Sequence, residues 1–232
     1  MNGIDKTVDE QLLVVDRIDE CVEKSKIKAY DFIKRGIDIL IGLVGCILLI
    51  PLTIIVKLMN VFNGERGKVF YSQTRIGKNG KEFKLYKYRT MVKNADKILK
   101  KILEEDEYLR NEYQINRKMR NDPRITKTGK FLRKTSIDEF PQFINILKGD
   151  MSVVGNRPYL PMEKEDMGAY YNSIVSTKPG LTGLWQTSGR STVTFKRRLE
   201  IEKRYSDQYS LRMDYNILKN TVKEVISGKG AI

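Results

Sequence analysis

The sequence predicts an α/β protein, mostly helical with a small β-hairpin sheet. It is held on a membrane by a re-entrant N-terminal helix and by amphipathic helices lying in the interface. Three observations carry this reading: an apolar run from Ile39 to Val56 interrupted by Pro51, an Asn-Gly step between two strand-like runs, and helical spacing of apolar residues from Ala95 to Met119. They divide the chain into an acidic leader (1–29), a membrane helix (30–57) and a cytoplasmic globular domain (58–232).

The leader is acidic, with 5 basic and 8 acidic side chains over residues 1–33, and its pattern suits a helix from Glu10 to Lys26. From Lys57 onward the balance reverses to 36 basic and 20 acidic, which produces the net charge of +14. A surface that positive attracts polyanions: nucleic acid, anionic lipid or a phosphorylated small molecule. There is no histidine. That removes Ser-His and Cys-His nucleophile pairs and the commonest zinc ligand, leaving carboxylates, cationic groups or a bound cation for any catalysis. The two cysteines, Cys21 and Cys46, sit in unlike surroundings and suggest neither a disulfide framework nor a metal site.

Ile39–Val56 is about the minimum apolar length for a transmembrane helix and lacks the polar face of a soluble one. Two features favour re-entry over crossing. Pro51 removes a helical hydrogen bond at a cost of about 3 kcal/mol and kinks the helix. Lys34 and Arg35 before the run, and Lys57 after it, pull both ends to the cytoplasmic side. Asp38 lies where a lone carboxylate is costly, so it is expected to pair with Lys34 or Arg35 one turn back.

Next, VFYSQTRI and KEFKLYKYRTM flank GKNG, where Asn79-Gly80 signals a two-residue hairpin turn. Between Ala95 and Met119, Ile98, Leu99, Ile102, Leu103, Tyr108 and Leu109 recur at helical spacing and predict one amphipathic helix or a pair. No GxxxxGK[ST] loop and no GxGxxG after a strand is present, so the standard nucleotide-binding folds lack support.

The chemistry is expected in FLRKTSIDEFPQFINILKGDMSVVGNRP. Ser136-Ile137-Asp138-Glu139 matches a capping box, which would place Asp138 and Glu139 in the first turn of a helix. Such carboxylates are usually dipole-compensating caps. The alternative is phosphoryl transfer, which an ionised Asp, a neighbouring Glu, flanking arginines and a divalent cation suffice to run.

The order of these motifs resembles the bacterial sugar transferase family, the monotopic phosphoglycosyl transferases that start glycan assembly on undecaprenyl phosphate. It covers the chain from about Tyr30: Lys34-Arg35-Gly36-Ile37-Asp38 before the apolar run, KLYKYRTM, DPRITKTGKFLRKTSIDEFPQFINILKGDMSVVGNRP, KPGLTGLWQTSGR and YSLRMDYNIL. The resemblance implies that Asp138 attacks the β-phosphate of a UDP-sugar, releasing UMP and leaving a covalent sugar phosphate. Glu139 assists the carrier phosphate or helps Asp138 hold Mg²⁺. Arg133 and Arg157 contact phosphate, and Gly183, Gln186 and Arg190 are candidates for the nucleotide or sugar, with a Gly-rich structural loop as the alternative. The implied partners are a UDP-sugar (a hexose ranked first), undecaprenyl phosphate and membrane lipid on the cytoplasmic face of a bacterial membrane, with no nucleic acid; homo-oligomerisation stays open. The resemblance also implies a re-entrant helix broken at Pro51. Two departures stand out: Ile50 replaces a Ser that often precedes the breaking Pro, suggesting a shallower bend, and Asn156 replaces the first Pro of a Pro-Arg-Pro turn, which should loosen it. An inactive scaffold subunit or a basic lipid or nucleic-acid binder are the competing readings.

Overall fold

A computed structural model describes residues 4–116, 119, 121–188 and 193–227. Helix α1 (Ile4–Phe62) contains Pro51 and is followed by the hairpin β1 (Phe70–Ile76) and β2 (Glu82–Tyr88). Then come α2 (Ala95–Glu105), α3 (Glu107–Asn116), α4 (Lys127–Lys134) and α5 (Gln142–Lys148). A short strand β3 (Ser152–Val154) precedes α6 (Lys164–Met167) and α7 (Tyr171–Val175), and β4 (Gly180–Thr182) leads into α8 (Phe195–Gln208) and α9 (Leu211–Ser227). The expected mostly helical architecture is observed, and the Ala95–Met119 stripe forms two helices.

The hairpin is antiparallel, with Phe70 opposite Tyr88 and Ile76 opposite Glu82. Its connection is longer than the expected two-residue turn. Residues 77–81 form a 3₁₀ turn in which Asn79 takes φ 58° and Gly77 N–H donates to the Lys81 carbonyl, so the Asn-Gly signal marks the bend but not its length. A second, parallel pair, β3 with β4, was not foreseen. Three-residue strands show too little alternation to be read from sequence.

Three apolar clusters hold these elements together. Leu85, Ile146, Met151, Val153, Tyr205 and Ile217 join the hairpin, α5, β3 and the last two helices. Ile76, Tyr159, Ile174 and Leu199 pack the hairpin tip against α7 and α8, and Leu49, Val56, Tyr88 and Leu132 pack α1 on β2 and α4.

One face of α1 therefore rests on the globular body. Gly42 and Gly45 let α5 approach: a Cβ on Gly45 would lie 2.3 Å from the Phe143 ring, and one on Gly42 2.8 Å from Leu147. Both flanks of the apolar run touch the same body, Lys34 pairing with Asp214 and Asn63 Nδ2 donating to Thr128 Oγ1 at 3.1 Å. The opposite face is an exposed apolar stripe, with Leu40, Ile47, Ile50 and Val61 each 67% exposed. Ile27–Phe62 is long and apolar enough to cross a membrane, but only 22% of its most apolar window is buried, so it is not the core helix of a soluble fold.

The expected pairing of Asp38 with Lys34 or Arg35 is corrected. Asp38 is buried and its Oδ1 accepts from Ser152 Oγ at 2.9 Å and Val153 N–H at 2.8 Å. Arg35 instead donates to the carbonyls of Ile146 (2.7 Å) and Leu147 (2.8 Å) at the C-terminal end of α5, where a helix dipole favours a cation. Tertiary partners outcompete the one-turn neighbours because they also satisfy buried backbone groups.

Candidate active site

Residues 84–90 and 126–145 converge on the acidic pair. Asn145, fully buried in α5, accepts from Tyr86 N–H at 3.0 Å and donates to the Lys84 carbonyl at 2.7 Å, which fixes the helix after the pair to β2. At the end of β2, Thr90 receives α4: the Thr126 side chain caps that helix from Gly129 N–H, and a Cβ on Gly129 would lie 2.1 Å from the Thr90 carbonyl. Only glycine permits so close a docking. It brings Arg133 Nε to 3.0 Å from Thr90 Oγ1.

The predicted capping box does not form. Ser136 sits in the left-handed region at φ 56°, makes no side-chain cap and precedes a single 3₁₀ turn, Ile137–Glu139; Pro141 then precedes α5. A non-glycine residue in that region costs on the order of 1 kcal/mol, so the turn carries strain next to the acidic pair. The local Ser-x-x-Glu pattern loses because Pro141 has no N–H to continue the turn into a helix.

Asp138 is half-buried and its carboxyl is pushed up from 3.8 to about 6. Burial is the main cause, and the Glu139 charge adds to it, whereas the Lys87 ammonium and the Arg133 guanidinium oppose the rise. Lys87 Nζ also donates to Glu139 Oε1 at 2.6 Å. Behind Arg133, Asp122 and Arg124 form a buried two-pronged pair with contacts of 2.8 and 2.6 Å.

A second group adjoins this one through Arg75, which feels the charges of both Arg157 and Glu139. Arg75 Nη1 donates to the Pro158 carbonyl at 3.0 Å, and Arg157 N–H donates to Glu202 Oε1 at 3.1 Å. The guanidiniums of Arg157 and Arg198 face the Trp185 ring at 5.6 and 5.0 Å. The buried Nε atoms of Arg75, Arg157 and Arg198 have no hydrogen-bond partner among the described residues. Burial, then Arg157, lowers Arg75 to about 10, and burial raises Glu202 to about 7. Such a wall of partly satisfied guanidiniums is suited to polyanionic phosphate.

Among the residues expected from sequence, Asp138, Glu139 and Arg133 stand together, while Arg157 belongs to the adjoining group. Gly183 packs on the backbone: a Cβ there would lie 2.1 Å from the Gly155 carbonyl and 2.7 Å from Gln186 Oε1. Arg190 lies outside the described residues. Lys34, Arg35 and Asp38 fasten α1 to the body, whereas the expected break at Pro51 is not seen: α1 stays helical on both sides of it. Asn156 does not loosen its turn. Its buried amide donates to Ile174 O at 3.1 Å and Ser206 Oγ at 2.6 Å, tying the turn to α7 and α8. Lys87, Arg75, Arg198 and Glu202 were missed. Lys87 lies inside KLYKYRTM, but strand periodicity alone does not say which lysine meets the acidic pair.

The bacterial sugar transferase family model matches residues 29–228. The chain is 38% identical over 198 residues to an exopolysaccharide production protein, ExoY, of Sinorhizobium fredii, covering 85% of this chain and 87% of that protein. It is 40% identical over 200 residues to an undecaprenyl-phosphate galactose phosphotransferase of Salmonella typhimurium, covering 86% of this chain. Identity to a UDP-glucose:undecaprenyl-phosphate glucose-1-phosphate transferase of Escherichia coli is 33% over 207 residues, again 86% of this chain. The matches span only 42% and 41% of those two longer proteins.

Proposed function

The chain belongs to the bacterial sugar transferase family, and from that premise we propose that it moves a sugar-1-phosphate from a UDP-sugar to undecaprenyl phosphate, releasing UMP. The observation that carries the proposal is the Asp138 carboxyl held half-buried between Lys87 and Arg133. With a value of about 6 it is mostly ionised at neutral pH, yet it is poorly solvated and therefore nucleophilic.

In the first step an Asp138 oxygen bonds to the β-phosphorus as the bond from that phosphorus to the bridging oxygen breaks and UMP departs. The acyl phosphate left on Asp138 carries the sugar. In the second step an oxygen of undecaprenyl phosphate attacks the same phosphorus and returns Asp138 as a carboxylate, giving the undecaprenyl diphosphate sugar. Arg133 and Lys87 neutralise charge on the phosphoryl oxygens, and Arg75 and Arg157 hold the nucleotide's phosphate. Glu139, bound to Lys87, keeps that lysine aimed at the site and contacts the carrier phosphate.

Among the described residues no group of three or more potential ligands is present. Magnesium is commonly held by one or two carboxylates plus substrate phosphates, so Asp138 and Glu139 fit it in that incomplete form. When bound, it would neutralise the donor diphosphate. Galactose ranks ahead of glucose as the donor sugar because the relative named for galactose is 40% identical and that named for glucose 33%.

The protein would act on the cytoplasmic face of the membrane, with Ile39–Val56 dipping into one leaflet. Both flanks of the run rest on one globular body, which a straight crossing would separate by about 30 Å of hydrocarbon. The test is UMP release from a panel of UDP-sugars by the detergent-solubilised protein with Mg²⁺ and undecaprenyl phosphate. Release by wild type and none by Asp138→Asn is expected. No release from any donor by folded wild-type protein would favour the scaffold reading.

A further inference from the structure

Beyond the site around Asp138, we propose that a second cavity, where α1 begins its apolar run, binds a single phosphate group, supplied by an anionic phospholipid headgroup or by free phosphate. Its volume is about 120 Å³, well above the roughly 10–15 Å³ that a single water needs. That accommodates a phosphate group. Lys34 and Arg35 of α1, Lys78 at the hairpin tip and Lys178 before β4 place four cations on its walls, drawn from three separate parts of the chain.

The charges around the cavity are not balanced from within. Lys34 is neutralised by Asp214, whereas Asp38 accepts only from the uncharged Ser152 hydroxyl and Val153 N–H. Arg35 spends its hydrogen bonds on the uncharged carbonyls of Ile146 and Leu147. Lys78 and Lys178 make no ion pair with a described residue. Asp31 and Asp38 are the counter-charges on the lining, Asp38 acting on Lys178 more strongly than Asp31, and these two face the three remaining cations Arg35, Lys78 and Lys178, which leaves one positive charge in excess. Arg35 Nη2 and Lys178 Nζ converge on Gly149, lying 3.6 and 3.7 Å from the position a Cβ would take there. Burial, then the neighbouring Arg35, lowers the Lys178 ammonium from its ordinary value. Like charges brought together out of water repel, and an anion between them removes that cost.

The position favours a lipid source. Phe32 (82% exposed) and Leu40 (67%) on the outer face of α1 mark where the apolar stripe starts, so headgroups would stand level with the cavity. The reading goes beyond the transfer reaction and uses none of its groups.

The test uses the full-length protein, Lys78→Gln, and the double variant Lys78→Gln with Lys178→Gln. Native mass spectrometry after extraction from bilayers of mixed phosphatidylglycerol and phosphatidylcholine counts retained lipid. Thermal shift with inorganic phosphate in lipid-free detergent reads the solution source. A preference for phosphatidylglycerol that falls at least tenfold in the double variant assigns the headgroup. A stabilisation by inorganic phosphate that the double variant loses, without a lipid preference, assigns free phosphate and also supports the site. Neither response in wild type, or both unchanged in the double variant, overturns it. Lys78 is exposed, so Lys78→Gln retains the fold and should weaken the response severalfold; an unchanged response in that variant also counts against the site. UMP release, measured on the same preparations and expected to be unaffected, keeps this result separate from the transfer reaction.

Discussion

Lys87 Nζ lies 2.6 Å from Glu139 Oε1 while its charge is also the largest influence holding down the Asp138 carboxyl, so one ammonium serves both members of the acidic pair. Replacing it with methionine removes that restraint. The Lys87–Glu139 pair is partly exposed, so stability should change by less than about 1 kcal/mol. The acid limb of the pH–rate profile should move to higher pH and kcat/KM should fall about tenfold or more. A profile that does not move would show that Lys87 leaves Asp138 untouched.

Asp138 should cost the fold stability. Its carboxyl is raised from 3.8 to about 6, so the folded state retains a proton that the unfolded state releases in this window. Stability therefore falls as pH rises from about 4 to about 6, and the loss is complete at pH 7. Asp138→Asn should melt higher at pH 7, by on the order of 1–2 kcal/mol after allowing for solvent access, while losing UMP release. Melting of both proteins at pH 4 and pH 7 checks this: the gap should close in acid.

Glu202 predicts a second window with the same sign. Burial raises it from 4.5 to about 7, so its contribution to stability declines as pH climbs from about 4.5 to about 7. Glu202→Gln keeps an oxygen for the Arg157 N–H and removes the titration. Its melting temperature should fall less steeply between pH 5 and pH 8 than that of wild type.

Asp38→Ala strips the acceptor from Ser152 Oγ and Val153 N–H in a buried site. A loss of roughly 2–4 kcal/mol is expected, with α1 detaching first. Limited proteolysis near residues 35–45 reports it, and wild-type resistance in the variant would contradict the role assigned to this carboxylate.

Ile47→Asp places a charge in the middle of the exposed stripe of α1. Flotation with liposomes should show membrane affinity reduced by about 1–3 kcal/mol without a change in the melting of the globular body. Unchanged flotation would mean that this face does not meet lipid.

The fold and the site were legible to different degrees. The hairpin, the paired amphipathic helices and the apolar run each have a period that a few consecutive residues reveal. Long-range pairings do not. Nothing near Asp38 announces Ser152, and nothing around Asn145 says that its amide will replace a missing backbone partner on β2. In the site, Asp138 and Arg133 lie five positions apart and were read together. Lys87, 51 positions upstream, reaches the pair only because Asn145 locks α5 to its strand. Glu202 resembles any other acid in a charged helix until α8 buries it against Arg157. Ser136 misled because the capping pattern is local, whereas Pro141, five residues on, decides how the turn ends.

The glycine at position 45 has a consequence for where the chemistry takes place. Its bare Cα lets Phe143 lie against α1, and Phe143 is only five residues beyond Asp138. How deep the helix sits in lipid and how high the acidic pair stands above it are thus one measurement and not two. Under the proposed reaction, a side chain at position 45 would wedge α1 away from α5 and so move Asp138 relative to the carrier's phosphate without altering either member of the acidic pair.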